Sequence, residues 1–205
     1  MSTGDGVPAA RCAADARPPA ATALRLLATA ARHGVADPAY QRLHAAYRVR
    51  RLDRSFGLAD RQVVAVGTDV WRADAFRAAG ARCLTVEPGT TGRAQPATPA
   101  DAPDLAAPGP GERIVADGYW LPVKDGAADL AYCDAALPSG PDAVGVVDEL
   151  ARITRVGGLV CLSLTGARRP LVHLLRRRED LALLTRPPIV RLPRRRTELV
   201  LRRTA

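Results

Sequence analysis

The stretch VVAVGTDVWRADAFRAAGARCLTVEPG, from Val63 to Gly89, decides how the rest of the chain is read. Residues 62–66 form a β-branched run fit for a strand buried on both faces. The chain then turns at Gly67. Asp69 suits the N-cap of a helix over 71–79, Gly80 ends that helix, and 83–86 is a second strand with Glu87 at its tip. Strand, helix and strand joined by short turns make a right-handed crossover, the frame of a nucleotide-binding unit. The turn of such a unit is normally rich in glycine, yet here it reads GTDVW.

Around this unit the composition is that of one globular domain. A chain of 205 residues can bury a full core but is short for two ordinary domains. With 47% hydrophobic and 25% charged residues it falls in the globular class rather than the disordered or fibrous ones. Its longest apolar runs are strand-sized, and the opening MSTGDGVPAARCAADARPPA has no apolar core, so a membrane span and a secretory signal are not expected and a cytoplasmic location is. Cys12, Cys83, Cys133 and Cys161 form no Cys-x-x-Cys pair and read as free thiols. His33, His44 and His173 are isolated, and no metal site is expected.

The net charge of +9 is almost wholly arginine, Lys124 being the single lysine, which is what a GC-rich genome tends to encode. The runs 176–178 and 194–196 could meet phosphate, but no aromatic residues are interleaved with them for base stacking. Nucleic acid is therefore a secondary expectation as a partner.

Residues 1–18 are small, polar and proline-containing and read as a disordered tail. Two helices are expected over 19–57 as a cap or lid: one carrying Leu24, Leu27 and Ala31 on a single face up to Gly34, and one opening at Asp37-Pro38 and running through Tyr40, Leu43, Tyr47 and Val49. Tyr40 and Tyr47, seven apart, read either as part of a lid or as a stripe packing on the sheet. An α/β domain is expected over 58–205. The proline-rich stretch 88–110 breaks the pattern, with at most a turn of helix at Thr98-Pro99. Strands then follow at 114–116 and 128–133, a helix at 142–155, and a strand at 159–164 entered by a Gly157-Gly158 turn. A helix near 170–184 and an antiparallel pair, 189–192 with 197–201, complete a Rossmann-like doubly wound sheet of mostly parallel strands.

Three phrases in the second half carry a resemblance. Asp117 precedes Leu121-Pro122 by a short gap, Asp125-Gly126 precedes Asp129-Leu130, and Glu149-x-x-Arg152 precedes Gly157-Gly158 and a strand. In this combination, and in its order of elements from about residue 62 onward, the chain resembles the class I methyltransferases that use S-adenosylmethionine, closest to the small-molecule kind. The resemblance implies seven strands with an antiparallel last pair. It also implies that Glu87 accepts hydrogen bonds from the cofactor's ribose, that Asp117 meets the adenine amino group with Gly118 against the ring, and that Gly67 is the first glycine of the cofactor loop.

The loop departs from the family. Ala65 stands where an acidic residue is usual, and Asp69 and Trp71 stand where further glycines are. Trp71 either points inward, filling the space of the cofactor's methionine end, or packs as part of the crossover helix. Asp69 is either that helix's N-cap or a substitute for the carboxylate missing at Ala65. Loss of two hydrogen bonds to charged groups, at about 1.5–3 kcal/mol each, would weaken binding by roughly two to four orders of magnitude.

The resemblance implies methyl transfer from S-adenosylmethionine to a small-molecule acceptor, a reaction in which positioning dominates. Asp134, just past the fourth strand, is the candidate to take the acceptor's proton. Two other readings stand beside it: a methyltransferase fold kept as a binding or scaffold protein, and an RNA-binding or RNA-modifying protein using the arginine clusters.

Overall fold

The computed structural model describes residues 20–88, 113–116, 119–134, 142–165, 169–185 and 196–205. Two helices, α1 (Ala20–His33) and α2 (Pro38–Phe56), precede the sheet. Then come β1 (Gln62–Val66), α3 (Val70–Ala78), β2 (Arg82–Pro88), β3 (Arg113–Ala116), β4 (Ala128–Cys133), α4 (Asp142–Ile153), β5 (Thr154–Thr165), α5 (Arg169–Leu175), β6 (Leu181–Leu183) and β7 (Arg196–Arg203). The seven strands lie in the order β3-β2-β1-β4-β5-β7-β6. Those from β3 through β5 run parallel, and β7 is antiparallel to both of its neighbours.

Helices cover both faces of this sheet, so its central strands are apolar throughout. Val64, Val66, Leu84 and Val160 pack toward α4 and α5 in one core layer. Val63, Ala65, Cys83, Leu130 and Cys161 pack toward α2 and α3 in the other. Cys83, Cys133 and Cys161 are buried free thiols inside strands.

Both helix caps read from sequence form as expected. Asp37 accepts a hydrogen bond from the Ala39 N–H at 2.8 Å, with Pro38 opening α2. Asp69 accepts from the Arg72 N–H at 2.8 Å and caps α3.

Three details differ from the sequence reading. The face of α2 that meets the sheet is Ala45, Arg48, Val49 and Leu52 rather than the Tyr40–Tyr47 stripe. A buried arginine sits on that face, which hid it from a count of apolar residues. Gly157-Gly158 is a bulge inside β5 rather than the turn leading into it: between the pairs Ala128↔Thr154 and Leu130↔Leu159, β5 advances five residues while β4 advances two. A Cβ on Gly158 would stand 2.8 Å from the Arg155 carbonyl oxygen and 3.0 Å from that of Asp129, so only glycine fits. The helix expected to reach residue 184 ends at Leu175, because Leu181 and Leu183 alternate with exposed Ala182 as strand β6. The described antiparallel partners of β7 are β5 and β6. The expected strand 189–192, the turn at Thr98-Pro99, the tail 1–18, and Asp117 and Gly118 lie outside the described residues.

Candidate active site

In an open α/β sheet, ligands bind beyond the carboxyl ends of the strands where the strand order reverses. Here that switch point lies between β1 and β4. Gly67 and Asp134, the residues that follow these two strands, flank it, with the Asp134 N–H bonded to the Val66 carbonyl at 3.1 Å. Gly67 has φ 62°, in the left-handed region that a side chain would strain by about 1–2 kcal/mol. Beside it Thr68 is buried, and its hydroxyl has no hydrogen-bond partner among the described residues. Glu87, the penultimate residue of β2, has a partly exposed carboxylate 3.2 Å from Arg113.

The α3 end of the crevice holds residues that the sequence reading missed. Trp71 does not join the core of α3; that position is filled by Arg72, Ala73 and Phe76. The indole lies instead beneath the Arg42 guanidinium of α2, 4.5 Å from it. Arg72 turns inward and forms an ion pair with Asp134 at 3.1 Å, with side chains 1% and 3% exposed. It also donates to the Tyr132 hydroxyl, which in turn donates to Glu198 at 3.1 Å. Arg48 of α2 closes the chain on Glu198 at 2.6 Å.

Two arginines and two carboxylates thus surround one phenol in a buried layer between the sheet, α2 and α3. Burial works against the charge on Arg48 and Arg72, but Tyr132 and the carboxylates outweigh it and hold both guanidinium pKa values above their ordinary value. Burial pushes the Tyr132 hydroxyl well above its ordinary range. The signal in the sequence was faint: Arg48 interrupts an apolar helix face, and Glu198 shares a strand face with Val200.

The described parts of the motif phrases serve as scaffolding. Glu149 accepts from the Leu121 N–H, while Arg152 pairs with Glu149 and donates to the Leu121 and Val123 carbonyls at 2.9 Å. Together they clamp the Leu-Pro loop onto α4. Asp129 lies at the opposite end of the sheet, where it accepts from the Gln62 N–H at 2.8 Å and pairs with Arg61 and Arg155. Within the run 176–178, Arg178 is engaged by Asp148 and Asp180, and Arg194 and Arg195 lie outside the described residues. No described helix is long and apolar enough to cross a membrane.

Comparison with known proteins agrees with this geometry. A family model described as a methyltransferase domain matches residues 64–162, which spans β1 through most of β5. Magnesium protoporphyrin IX methyltransferase of Synechocystis, solved with bound S-adenosylmethionine, is similar in structure with a TM-score of 0.56 at 16% identity, over 80% of this chain and 79% of that one. The 1,6-didemethyltoxoflavin-N1-methyltransferase of Burkholderia thailandensis gives 0.54 at 16% identity, over 91% and 89%. A putative RNA methyltransferase of Pyrococcus horikoshii gives 0.53 at 11% identity, over 80% and 85%. No curated protein sequence matches the chain. Residues 64–162 thus match a methyltransferase-domain model, and the seven-stranded sheet has the fold of these S-adenosylmethionine-dependent methyltransferases.

Proposed function

We propose that the protein is an S-adenosylmethionine-dependent methyltransferase acting on a small-molecule acceptor. The observation that carries this reading is the crevice at the β1/β4 switch point, where Gly67 adopts a left-handed conformation and an orphaned Thr68 hydroxyl lies beside it. Both features suit close approach of a polar ligand to the loop. Glu87 would hold the ribose hydroxyls, Asp117 and Gly118 the adenine, and Gly67 the nearest backbone contact. Bound there, the cofactor supplies an electrophilic methyl group on sulfur.

With Arg72 at 3.1 Å, we assign Asp134 to anchoring Arg72 at the crevice rather than to accepting a proton. The acceptor is then deprotonated by solvent or is nucleophilic without help, and the protein's share is alignment and exclusion of water. Asp69 serves α3 as its cap and is not assigned to the cofactor's amino group.

Calorimetric titration with S-adenosylmethionine tests the proposal. Saturable binding to the native protein is expected, weakened at least tenfold in Glu87→Ala with the melting temperature unchanged. A native protein that is folded and shows no binding would overturn it. The second reading, a methyltransferase fold kept as a binding protein, draws on the same Arg72–Asp134 pair, which occupies the crevice with charges that satisfy each other. That reading predicts no cofactor binding to the native chain.

A further inference from the structure

Eight described arginines outside the α1–α2 groove, Arg48, Arg61, Arg72, Arg77, Arg113, Arg152, Arg155 and Arg178, form ion pairs with carboxylates. The groove between α1 and α2 is different. A cavity of about 170 Å³ there is lined by Arg25, Arg50, Arg51 and Arg54, with Thr22 and Tyr47, and no carboxylate lines it. Arg25, Arg50 and Arg54 have no ion-pair or hydrogen-bond partner for their side chains among the described residues, and Arg51 lies over the Tyr47 ring at 5.6 Å. The carboxylates of this region, Asp37 and Asp53, are already committed to backbone N–H groups, of Ala39 and Leu58. Tyr47 lines the groove, and its hydroxyl is buried without a hydrogen-bond partner among the described residues. A buried hydroxyl without a partner and three arginines, Arg25, Arg50 and Arg54, without counter-charges line one groove, an arrangement that an anion with several acceptor oxygens would satisfy.

We propose that the α1–α2 groove is a binding site for a phosphate group. Guanidinium forks from two helices suit the multiple oxygens of a phosphate, and the phenol supplies a further neutral donor. The cavity is too small for a drug-sized ligand, so the site takes a phosphate or diphosphate group while the rest of its carrier stays outside. This site shares no residue with the crevice at the switch point.

Pyrophosphate is the probe, titrated calorimetrically at fixed ionic strength into the native protein, into an Arg50→Ala/Arg54→Ala variant, and into an Arg176→Ala/Arg177→Ala control that removes equal exposed charge elsewhere. Saturable binding is expected in the native protein and the control, weakened tenfold or more in the groove variant. Tyr47→Phe should weaken it severalfold without a change in charge. Absence of saturable binding, or an equal loss in groove variant and control, would overturn the proposal. A short oligonucleotide separates the sources: affinity well above that of pyrophosphate, falling steeply with salt and lost in the groove variant, identifies a nucleic-acid strand as carrier. Equal affinity identifies a small phosphorylated molecule. Cofactor binding should be unchanged in all variants, which keeps this test separate from that of the methyltransferase reading.

Discussion

Arg72 shows what single residues do in this molecule. Its guanidinium neutralises Asp134 where water cannot, so Arg72→Met leaves a carboxylate 3% exposed with its main cation gone. Breaking a buried pair from one side costs about 3–5 kcal/mol, whereas replacing both partners by apolar groups is often close to neutral. A urea titration of Arg72→Met should show a loss of that size, and Arg72→Met/Asp134→Leu should recover part of it. If the double variant is no more stable than the single, the pair is not the coupled unit described here. Pattern alone offered little warning of it, because a charge is read as solvated unless its neighbours reveal the face it occupies. Glu87 and Gly67 were legible for the opposite reason: a strand end and a turn are positions that pattern alone defines. Trp71 could not be placed from pattern, since its environment is made by Arg42, twenty-nine residues earlier.

At the scale of elements, local chemistry was the better guide. The caps of α2 and α3 formed where Asp37 and Asp69 stood, and the βαβ unit followed from apolar runs and short turns. Asp69→Ala should therefore lower stability by about 1 kcal/mol through loss of the Arg72 N–H bond, measured by thermal melting. A loss of cofactor binding far beyond that change would instead place Asp69 in contact with the ligand. Elements failed to follow the reading where local preference was ambiguous. Leu181-Ala182-Leu183-Leu184 suits a helix or a strand, and only the free edge of β7 makes it β6. The bulge at Gly157-Gly158 was read as a turn because glycine pairs serve both. Gly158→Ala should destabilise the fold more than Gly34→Ala, since the former meets backbone at 2.8 Å while the latter, with nothing within 4 Å, meets only the backbone strain of its φ of 84°.

The whole molecule places groups that ionise at high pH inside its sheet. Burial raises the Cys83 thiol from about 9 to about 11, and raises Cys161 and Tyr132 well above their ordinary values. The folded state therefore holds these protons more tightly than the unfolded chain. Stability is complete below about pH 9, where the unfolded thiol begins to ionise, and falls as pH rises through about 11. Urea midpoints across that window should decline, and a thiol reagent at neutral pH should leave Cys83 and Cys161 unmodified until the protein is unfolded.

The position of β7 also bears on how the protein is made. It follows β6 in chain order, yet it lies between β5 and β6, with Leu199, Val200 and Leu201 wholly buried. A ribosome therefore releases the parallel strands first and must complete residues 196–203 before the edge of β5 is covered. Until then the nascent chain carries an open strand edge, the feature by which unfinished sheets associate with one another. Translation that stalls before β7 would give a product destined for chaperones or proteases rather than a slightly shortened protein.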